Sequence, residues 1–359
     1  MKISFRVDSS HDIGSGHVYR SLTLARALIQ RGHQVDFVCK TLPGNIISKI
    51  IDEGYHVHII TPQEIPVSSL EWNTHAWWLC STLEDDIKKT IGALQQQCPD
   101  LVITDHYALE AEWESALRLA LGVPVAVLDD LCDRPHESAL IVDSTYGRTA
   151  KDYSALVNKD CLCLTGSQYA QIRDEFISLR SAALNKRKYV THPKKILVTL
   201  GGVDKNNISE NILHFLINFS FFDNNNISLI IGGANPHKER LINYCDSQGI
   251  RWDFNVTNMA EYMYQHDVAI GALGTTTWER CVLALPTLNL CIAENQDMIA
   301  PAVRKSGMPI LKHNEITFPA LEKNMVSILN NYNQQALIAS HVCDGYGTNR
   351  ITQAVEKLQ

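Results

Sequence analysis

The spacing of hydrophobic residues near the N-terminus changes between residues 2 and 29. In residues 2–7, Ile3, Phe5 and Val7 alternate with polar or charged neighbours, which predicts a β-strand. From Val18 to Ile29 the apolar positions recur every three or four residues, which predicts a helix. The chain therefore opens with a strand, a turn and a helix.

This alternation continues along most of the chain, and β-α-β units predict parallel sheets. Further strands are predicted at residues 34–39, 57–60, 100–104, 123–128, 140–142 and 161–166, then at 195–200, 227–231, 251–254, 287–291 and 307–311. Further helices are predicted at residues 45–53, 167–183, 208–217, 237–245 and 348–358, and residues 267–279 form a strand, a turn and a helix start. The pattern predicts an α/β fold with doubly wound, Rossmann-like sheets.

The alternation breaks at residues 185–195, which combine basic residues with a proline, and we expect the domain boundary there. The predicted domains are residues 1–184 and residues 193–340. Residues 341–359 contain a final helix that we expect to pack back on the first domain.

The composition agrees with two domains of ordinary size, because a chain of 359 residues with 45% hydrophobic content is larger than a single hydrophobic core usually organises. A net charge of −7 gives no general attraction for nucleic acid or an anionic membrane. No apolar run approaches the roughly 20 residues of a membrane span, and the residues before the first strand lack the basic lead and apolar core typical of a signal peptide. We expect a cytoplasmic protein without stable membrane insertion, whose scattered cysteines are reduced thiols.

The turn between the first strand and helix carries candidate chemistry. Gly14 and Gly16 allow a tight backbone and close approach of a ligand, and a helix start attracts anions. His17 lies in the first helical turn, where the helix dipole favours a neutral ring that takes a proton from water. With Asp8 and Arg20 nearby, we predict a catalytic role for His17.

The sequence of this turn has two other interpretations. A lone histidine at a helix start often only hydrogen-bonds its own loop. A dinucleotide site would need a third glycine where the chain has Tyr19, and an acid at the end of the next strand, whereas Asp36 lies inside that strand.

Three further strands of the first half end in polar residues, which parallel pairing brings to one edge of the sheet. We expect them to converge on the turn of His17. Carboxylates and imidazole there also suit a hard metal ion, and the acids equally suit helix N-caps. The candidates are Asp105, His106, Asp129, Asp130 and Asp143. The Trp77–Trp78 pair suits either a ligand wall or an aromatic core cluster.

The second half contains a strand, a glycine and threonine turn and a helix start at residues 267–279. The backbone of Gly274, Thr275 and Thr276 suits a pyrophosphate, and Glu279 is placed to accept hydrogen bonds from ribose hydroxyls. Gly201 and Gly202 end another strand of this half. The alternative is an ordinary strand-to-helix connection with threonine caps.

Several segments together resemble the GT-B architecture and, more closely, the UDP-2,4-diacetamido-2,4,6-trideoxy-β-L-altropyranose hydrolases of pseudaminic acid biosynthesis. The matching segments are RVDSS at 6–10, IGSGHVYR at 13–20, DHY at 105–107, LDD at 128–130, GSQY at 166–169, IRDEF at 172–176, LGGVD at 200–204 and ENQ at 294–296.

The resemblance implies two domains that face each other across a cleft. It implies that His17 is the general base for a water attacking the anomeric carbon, with inversion and C–O cleavage. Tyr107 and Asn295, next to Gln296, match positions around the sugar, and Glu279 matches the uridine ribose ligand. It implies no metal and no cofactor, with the UDP-linked diacetamido-trideoxy sugar and other enzymes of the same pathway as partners.

Three other functions are compatible with these sequence features. A GT-B glycosyltransferase with a UDP-sugar donor would use His17 to deprotonate an acceptor hydroxyl, and a nucleotide-sugar 2-epimerase shares the architecture. A non-catalytic nucleotide-sugar binder would need Glu279 but not His17.

Overall fold

The computed structural model describes residues 1–63, 73–292, 296 and 299–358. The chain divides into two compact units. Unit 1 comprises residues Met1–Gln171 together with the C-terminal residues from Tyr346, and unit 2 comprises Ile172–Gly345.

Unit 1 contains seven parallel strands in the spatial order β3-β2-β1-β4-β5-β6-β7. The strands are β1 (Lys2–Val7), β2 (Gln34–Lys40), β3 (His56–Ile60), β4 (Leu101–Asp105), β5 (Val125–Leu128), β6 (Leu140–Asp143) and β7 (Leu162–Thr165). The helices between them are α1 (Gly16–Gln30), α2 (Ile47–Asp52), α3 (Leu83–Leu94) and α4 (Ala111–Leu121).

Unit 2 has the same architecture, with six parallel strands in the order β10-β9-β8-β11-β12-β13. The strands are β8 (Ile196–Thr199), β9 (Ile227–Ile231), β10 (Arg251–Phe254), β11 (Val268–Ala272), β12 (Thr287–Leu290) and β13 (Ile310–Leu311). Its helices are α5 (Asp174–Lys188), α6 (Ile208–Phe219), α7 (Lys238–Gln248), α8 (Met259–Gln265), α9 (Thr275–Val282), α10 (Ala300–Lys305), α11 (Phe318–Asn330) and α12 (Tyr332–Val342). The prediction of two doubly wound parallel α/β sheets is confirmed.

Strand order reverses at one point in each sheet, between β1 and β4 in unit 1 and between β8 and β11 in unit 2. Open parallel sheets bind ligands at the carboxyl ends of the strands beside such a reversal. The loops that follow these four strands are therefore where each unit is built to hold a ligand.

The first unit ends earlier than the sequence pattern predicted, since α5 groups with unit 2 and not with residues 1–184. The basic side chains at the end of α5 donate to carbonyls of unit 2: Lys186 to Tyr264 O, and Arg187 to Met263 O and His266 O. The first residues of the expected boundary segment, 185–188, are thus the last turn of α5, which its cations hold in unit 2.

The last helix, α13 (Gly347–Val355), packs against α1 within unit 1. Ile351 and Val355 are fully buried in that core. In the described part of the chain, none of the helices combines the length and apolar character needed to span a bilayer.

Candidate active site

The turn between β1 and α1 is closed by its own backbone. Gly14 adopts a φ of +77°, a conformation that favours glycine, and its N–H donates to Ser10 O at 2.9 Å. Gly16 begins α1, and the side chain of the N-cap residue Ser15 does not bond the helix start. His17 is therefore the second residue of a helix whose first N–H groups lack a side-chain cap.

His17 is paired with a carboxylate from the neighbouring strand. Its Nδ1 lies 2.6 Å from Oδ1 of Asp105, the last residue of β4. Since a carboxylate only accepts, Nδ1 carries the proton, and in the neutral ring Nε2 then holds the lone pair. Among the described residues Nε2 has no hydrogen-bond partner, and His17 is 8% exposed. The ring is oriented to accept a proton at Nε2.

Arg20 fixes Asp105 from the other side. Its Nε and Nη2 donate to the two carboxylate oxygens at 2.6 Å each. Burial opposes ionisation of Asp105, but Arg20 and then His17 hold the pKa of the carboxyl well below its ordinary value. Arg20 also pairs with Asp130, which accepts a hydrogen bond from the Tyr107 hydroxyl at 2.8 Å. Arg20 is buried and holds Asp105 in place beside the candidate base His17.

Aromatic rings surround the imidazole. Tyr107 meets His17 edge-on with ring centroids 4.7 Å apart, and Trp78 lies 6.0 Å away. Trp78 stacks on Tyr107 at 5.5 Å, and His75 packs edge-on against both. Of the two interpretations of the tryptophan pair, Trp78 thus fits a wall beside the candidate base, whereas Trp77 is exposed.

Asp8 lies beneath the turn rather than at its surface. Its side chain is fully buried, pairs with Arg6 at 2.7 Å and accepts the Lys40 N–H at 2.6 Å. Arg6 and Lys40 also pair with Asp86, at 2.7 and 2.8 Å. This buried network ties β1 to β2 and α3 and supports the loop that leads to His17.

The acidic residues that suit a metal ion are engaged by cationic and hydroxyl side chains. Asp129 pairs with Arg134 at 2.9 Å and accepts the Tyr153 hydroxyl at 2.7 Å, and His106 faces Asp8. Across the described ranges, no group of three or more His, Cys, Asp or Glu residues is arranged to hold a metal ion. These carboxylates bind cationic side chains instead.

In unit 2, the loop after β8 approaches the loop after β9 closely. Gly201 has a φ of +84°, and a Cβ at Gly232 would lie 2.3 Å from Gly201 O and 2.4 Å from Gly202 O. Only a glycine at 232 permits this packing. Gly201 and Gly202 are exposed at the carboxyl end of the sheet.

The loop after β11 leads directly into α9, with Gly274 as N-cap and Thr275 as first residue. Gly274 N–H donates to Thr277 Oγ1 at 3.1 Å, which fixes the turn. Gly274 and Thr275 are exposed and Thr276 is half-buried. The turn presents backbone N–H groups at the positive end of a helix, as the sequence predicted for an anion.

Glu279, one turn into α9, is a buried carboxylate that is only half satisfied. Arg173 Nε donates to Oε1 at 2.9 Å, whereas Oε2 is buried without a hydrogen-bond partner in the described structure. Burial raises the pKa of the Glu279 carboxyl, and Arg173 opposes that rise. A buried carboxylate oxygen without a partner is suited to accept a hydrogen bond from a ligand hydroxyl.

Asn295 lies outside the described residues. Gln296 bonds its own loop, since its Oε1 accepts the Ile292 N–H at 2.8 Å. Asp105 and Asp130, which the sequence placed among the polar strand ends expected at the turn of His17, both pair with Arg20 there. Sequence reasoning missed Arg173 as a site member, although Arg173 lies in the matching segment at 172–176.

Comparison with known proteins supports the resemblance seen in the motifs. No family model matches the chain. The UDP-2,4-diacetamido-2,4,6-trideoxy-beta-L-altropyranose hydrolase of Campylobacter jejuni subsp. jejuni serotype O:2 is 26% identical over 311 residues, which cover 86% of this chain and 98% of that protein. The uncharacterized protein MJ1062 of Methanocaldococcus jannaschii is 28% identical over 308 residues, which cover 81% of this chain and 55% of that protein.

Solved structures share the fold over nearly the whole chain. MurG of Acinetobacter baumannii superposes with a TM-score of 0.69 at 15% identity, covering 99% of this chain and 100% of the other. A UDP-GlcNAc 2-epimerase of Neisseria meningitidis bound to UDP-GlcNAc superposes with a TM-score of 0.63 at 12% identity, with the same coverage. These matches confirm the expected GT-B class of fold and show the fold alone.

Proposed function

We propose that this protein is a nucleotide-sugar hydrolase that releases UDP from UDP-2,4-diacetamido-2,4,6-trideoxy-β-L-altropyranose, acting in the cytoplasm in pseudaminic acid biosynthesis. The similarity to the Campylobacter hydrolase over 86% of the chain supports the substrate. The observation that carries the reaction type is the His17–Asp105 pair, whose outer nitrogen has no hydrogen-bond partner among the residues that the structure describes.

His17 Nε2 accepts a proton from water while the water oxygen forms a bond to the anomeric carbon. The bond between that carbon and the diphosphate oxygen breaks, and UDP leaves with the electron pair. Attack from the face opposite UDP inverts the anomeric centre. Asp105 stabilises the imidazolium that forms, in the way a buried carboxylate supports a histidine base.

Unit 2 supplies the groups for UDP in this proposal. Backbone N–H groups at Gly201, Gly202, Gly274, Thr275 and Thr276 bind the diphosphate and stabilise the charge that grows on it. Glu279 Oε2 accepts from the ribose hydroxyls. UDP is a good leaving group, so the proposed reaction uses neither a metal nor a cofactor.

The sugar-side groups in this proposal belong mainly to unit 1. Gly14, Gly16 and Tyr107 lie beside His17 and contact the sugar, and the resemblance also assigns sugar contacts to Asn295 and Gln296. Arg20 and Asp8 act beneath this surface, since both are buried in ion pairs. Trp78 adds an aromatic face that packs on apolar parts of a deoxy sugar.

The test is incubation with this UDP-sugar in the absence of any acceptor. We expect free sugar and UDP, with the released anomer identified by NMR and the cleaved bond by ¹⁸O water. His17→Ala is expected to abolish turnover while UDP binding is retained. His56→Ala, a change at an exposed histidine on the edge strand of the same unit, is the control and keeps turnover.

Three results would overturn the proposal. Strict dependence on an acceptor would identify a glycosyltransferase, and unchanged turnover in His17→Ala would reject the histidine mechanism. UDP-sugar binding without turnover in the wild-type chain would indicate a non-catalytic binder.

A further inference from the structure

Arg280 is a fully buried cation directly behind the α9 turn. It follows Glu279 in α9 and is 1% exposed. Its Nη1 donates to Thr276 Oγ1 at 3.2 Å, and its Nη2 donates to Thr277 Oγ1 at 3.1 Å and to Ala272 O at 2.8 Å. The guanidinium therefore contacts the turn at three points between the end of β11 and the first turn of α9.

The partners of Arg280 are all neutral. The fourth acceptor is Asn289 Oδ1 at 3.1 Å, and within the described ranges Nε is buried without a hydrogen-bond partner. Among the described residues no carboxylate oxygen lies within 4.0 Å of this guanidinium, whereas the buried Arg6 and Arg20 each pair with two carboxylates.

Burying a charged group without an adjacent counter-ion costs free energy, so the presence of an arginine at position 280 requires an explanation. Burial lowers the pKa of Arg280 to about 10, which still leaves the group charged at neutral pH. Gly271 leaves the space that the Arg280 guanidinium occupies, since a Cβ at position 271 would lie 2.5 Å from Nη1. Glycine in the middle of β11 therefore accommodates this one side chain.

We propose that Arg280 is a positioning residue of the anion turn, whose charge gains a direct anionic counterpart when a nucleoside diphosphate occupies the turn. Because Nη1 donates to Thr276 Oγ1, the hydroxyl proton of Thr276 is left to donate to a phosphate oxygen. Arg280 thus acts through the turn, by orienting a hydroxyl and by adding positive charge behind the N–H groups. This inference rests on the proposed function, since it takes the diphosphate of UDP as the ligand.

The experiment compares equilibrium binding of UDP and of uridine, measured by calorimetry on the full chain. Arg280→Gln removes the charge but keeps a donor, and Arg280→Lys keeps the charge with fewer donors. We expect Arg280→Gln to weaken UDP binding about tenfold or more and to leave uridine binding unchanged. Arg280→Lys is expected to retain most of the preference for UDP over uridine.

A merely structural Arg280 would give a different result. Equal weakening of UDP and uridine binding in Arg280→Gln, or unchanged UDP binding, would overturn the inference. Wild-type chain that binds UDP tightly but does not hydrolyse the UDP-sugar would refute the hydrolase while leaving this role intact.

A second variant covers the case in which Arg280→Gln does not fold. Asn289→Asp places a carboxylate where Arg280 Nη2 already donates, so the charge gains an internal partner. The expected result is again a selective loss of UDP affinity of about tenfold, with a folded chain verified by circular dichroism. UDP affinity equal to that of the wild type would count against the proposal.

Discussion

The candidate base depends on a single carboxylate for its tautomer. Asp105 receives Nδ1–H of His17 on one oxygen and both donors of the Arg20 fork. A carboxylate that cannot donate leaves the outer nitrogen as the acceptor. The ability of His17 to act as a base therefore depends on Asp105 at the end of β4 as much as on its own position in α1.

Replacing Asp105 by asparagine tests this dependence. The amide can donate to Nδ1 and so favours the tautomer in which Nε2 carries the proton, which leaves no lone pair for water. We expect kcat to fall about 10²- to 10⁴-fold with little change in KM. Steady-state kinetics provide the measurement.

Ser21→Ala is the matched control for Asp105→Asn, because Ser21 Oγ donates to the same carboxylate at the longer distance of 3.3 Å. It should change kcat by less than about threefold, since it leaves the tautomer unaltered. A comparable loss in both variants would mean that general disruption, rather than the tautomer, lowers the rate.

Glu279 offers a second test at the scale of one residue. Glu279→Gln removes the charge of the half-satisfied carboxylate and replaces one acceptor by a donor. We expect UDP affinity to fall about tenfold to a hundredfold, because hydrogen bonds to a charged acceptor are lost. Glu175→Gln is the control, since Glu175 pairs with the same Arg173 but is exposed. Calorimetry that shows equal affinity in all three proteins would remove Glu279 from the binding site.

The elements that carry both turns were largely predictable from the sequence. Each turn follows a buried strand with a sharp change to helical spacing, and residues such as Gly14 and Gly274 mark the change locally. Because the carboxyl ends of parallel strands meet at one edge, the convergence of Asp105 and Tyr107 on His17 was also predictable.

Other features depend on tertiary contacts that no local pattern encodes. Asp8 resembled a surface ligand beside His17, yet Arg6 and Lys40 bury it. The Arg173–Glu279 pair joins residues 106 positions apart, and its geometry follows from how α5 packs in unit 2. Side-chain partners across a sheet or between helices are set by packing, which sequence spacing does not report.

The close loop packing at Gly232 leads to a prediction about an element junction. Gly232→Ala places a Cβ within 2.4 Å of two carbonyl oxygens, so the loop carrying Gly201 and Gly202 must shift. We expect a loss of about 1 to 3 kcal/mol in the free energy of unfolding and weaker UDP binding. Chemical denaturation and calorimetry measure the two effects.

Gly92→Ala serves as the opposite control for Gly232→Ala. Gly92 is an exposed residue of α3, and a Cβ there meets nothing within 4 Å. Alanine should stabilise the helix by about 0.5 to 1 kcal/mol without altering UDP binding. Equal responses of the two variants would show that the junction at Gly232 tolerates a side chain.

At the scale of the whole molecule, unit 1 is assembled from both ends of the chain. Residues before Ile172 form its sheet, and α13 returns to cover α1 with Ile351 and Val355. Arg31 in unit 1 also pairs with Glu356 at 2.7 Å. The fold of the unit that carries His17 therefore depends on the last residues of the chain.

Unit 1 also concentrates the buried carboxylates that depend on ion pairs. Asp8, Asp86, Asp105 and Asp129 are each buried beside an arginine. Burial opposes their ionisation, but the adjacent cations hold the pKa of every one of them below its ordinary value. These four groups tie the stability of unit 1 to pH.

The sign of this dependence follows from where protons bind. In the unfolded chain these aspartates take up protons near pH 3.9, whereas in the folded unit they stay ionised to lower pH. Their contribution is complete above about pH 5 and is lost as the pH falls through the folded values, by up to about 1.4 kcal/mol per pH unit for each group. We expect the urea midpoint of unit 1 to fall steeply below pH 4, where these four contributions are lost.

Trp113 is the natural reporter of this loss, because it is fully buried and its Nε1 donates to Asp86 Oδ1 at 3.0 Å. Its fluorescence should change with the acid transition, and Trp113→Phe should remove that signal. Trp278 in α9 of unit 2 is the internal comparison, since the raised pKa of the neighbouring Glu279 favours the folded state on acidification. If the Trp278 signal changed at higher pH than the Trp113 signal, the ion pairs of unit 1 would not govern acid unfolding.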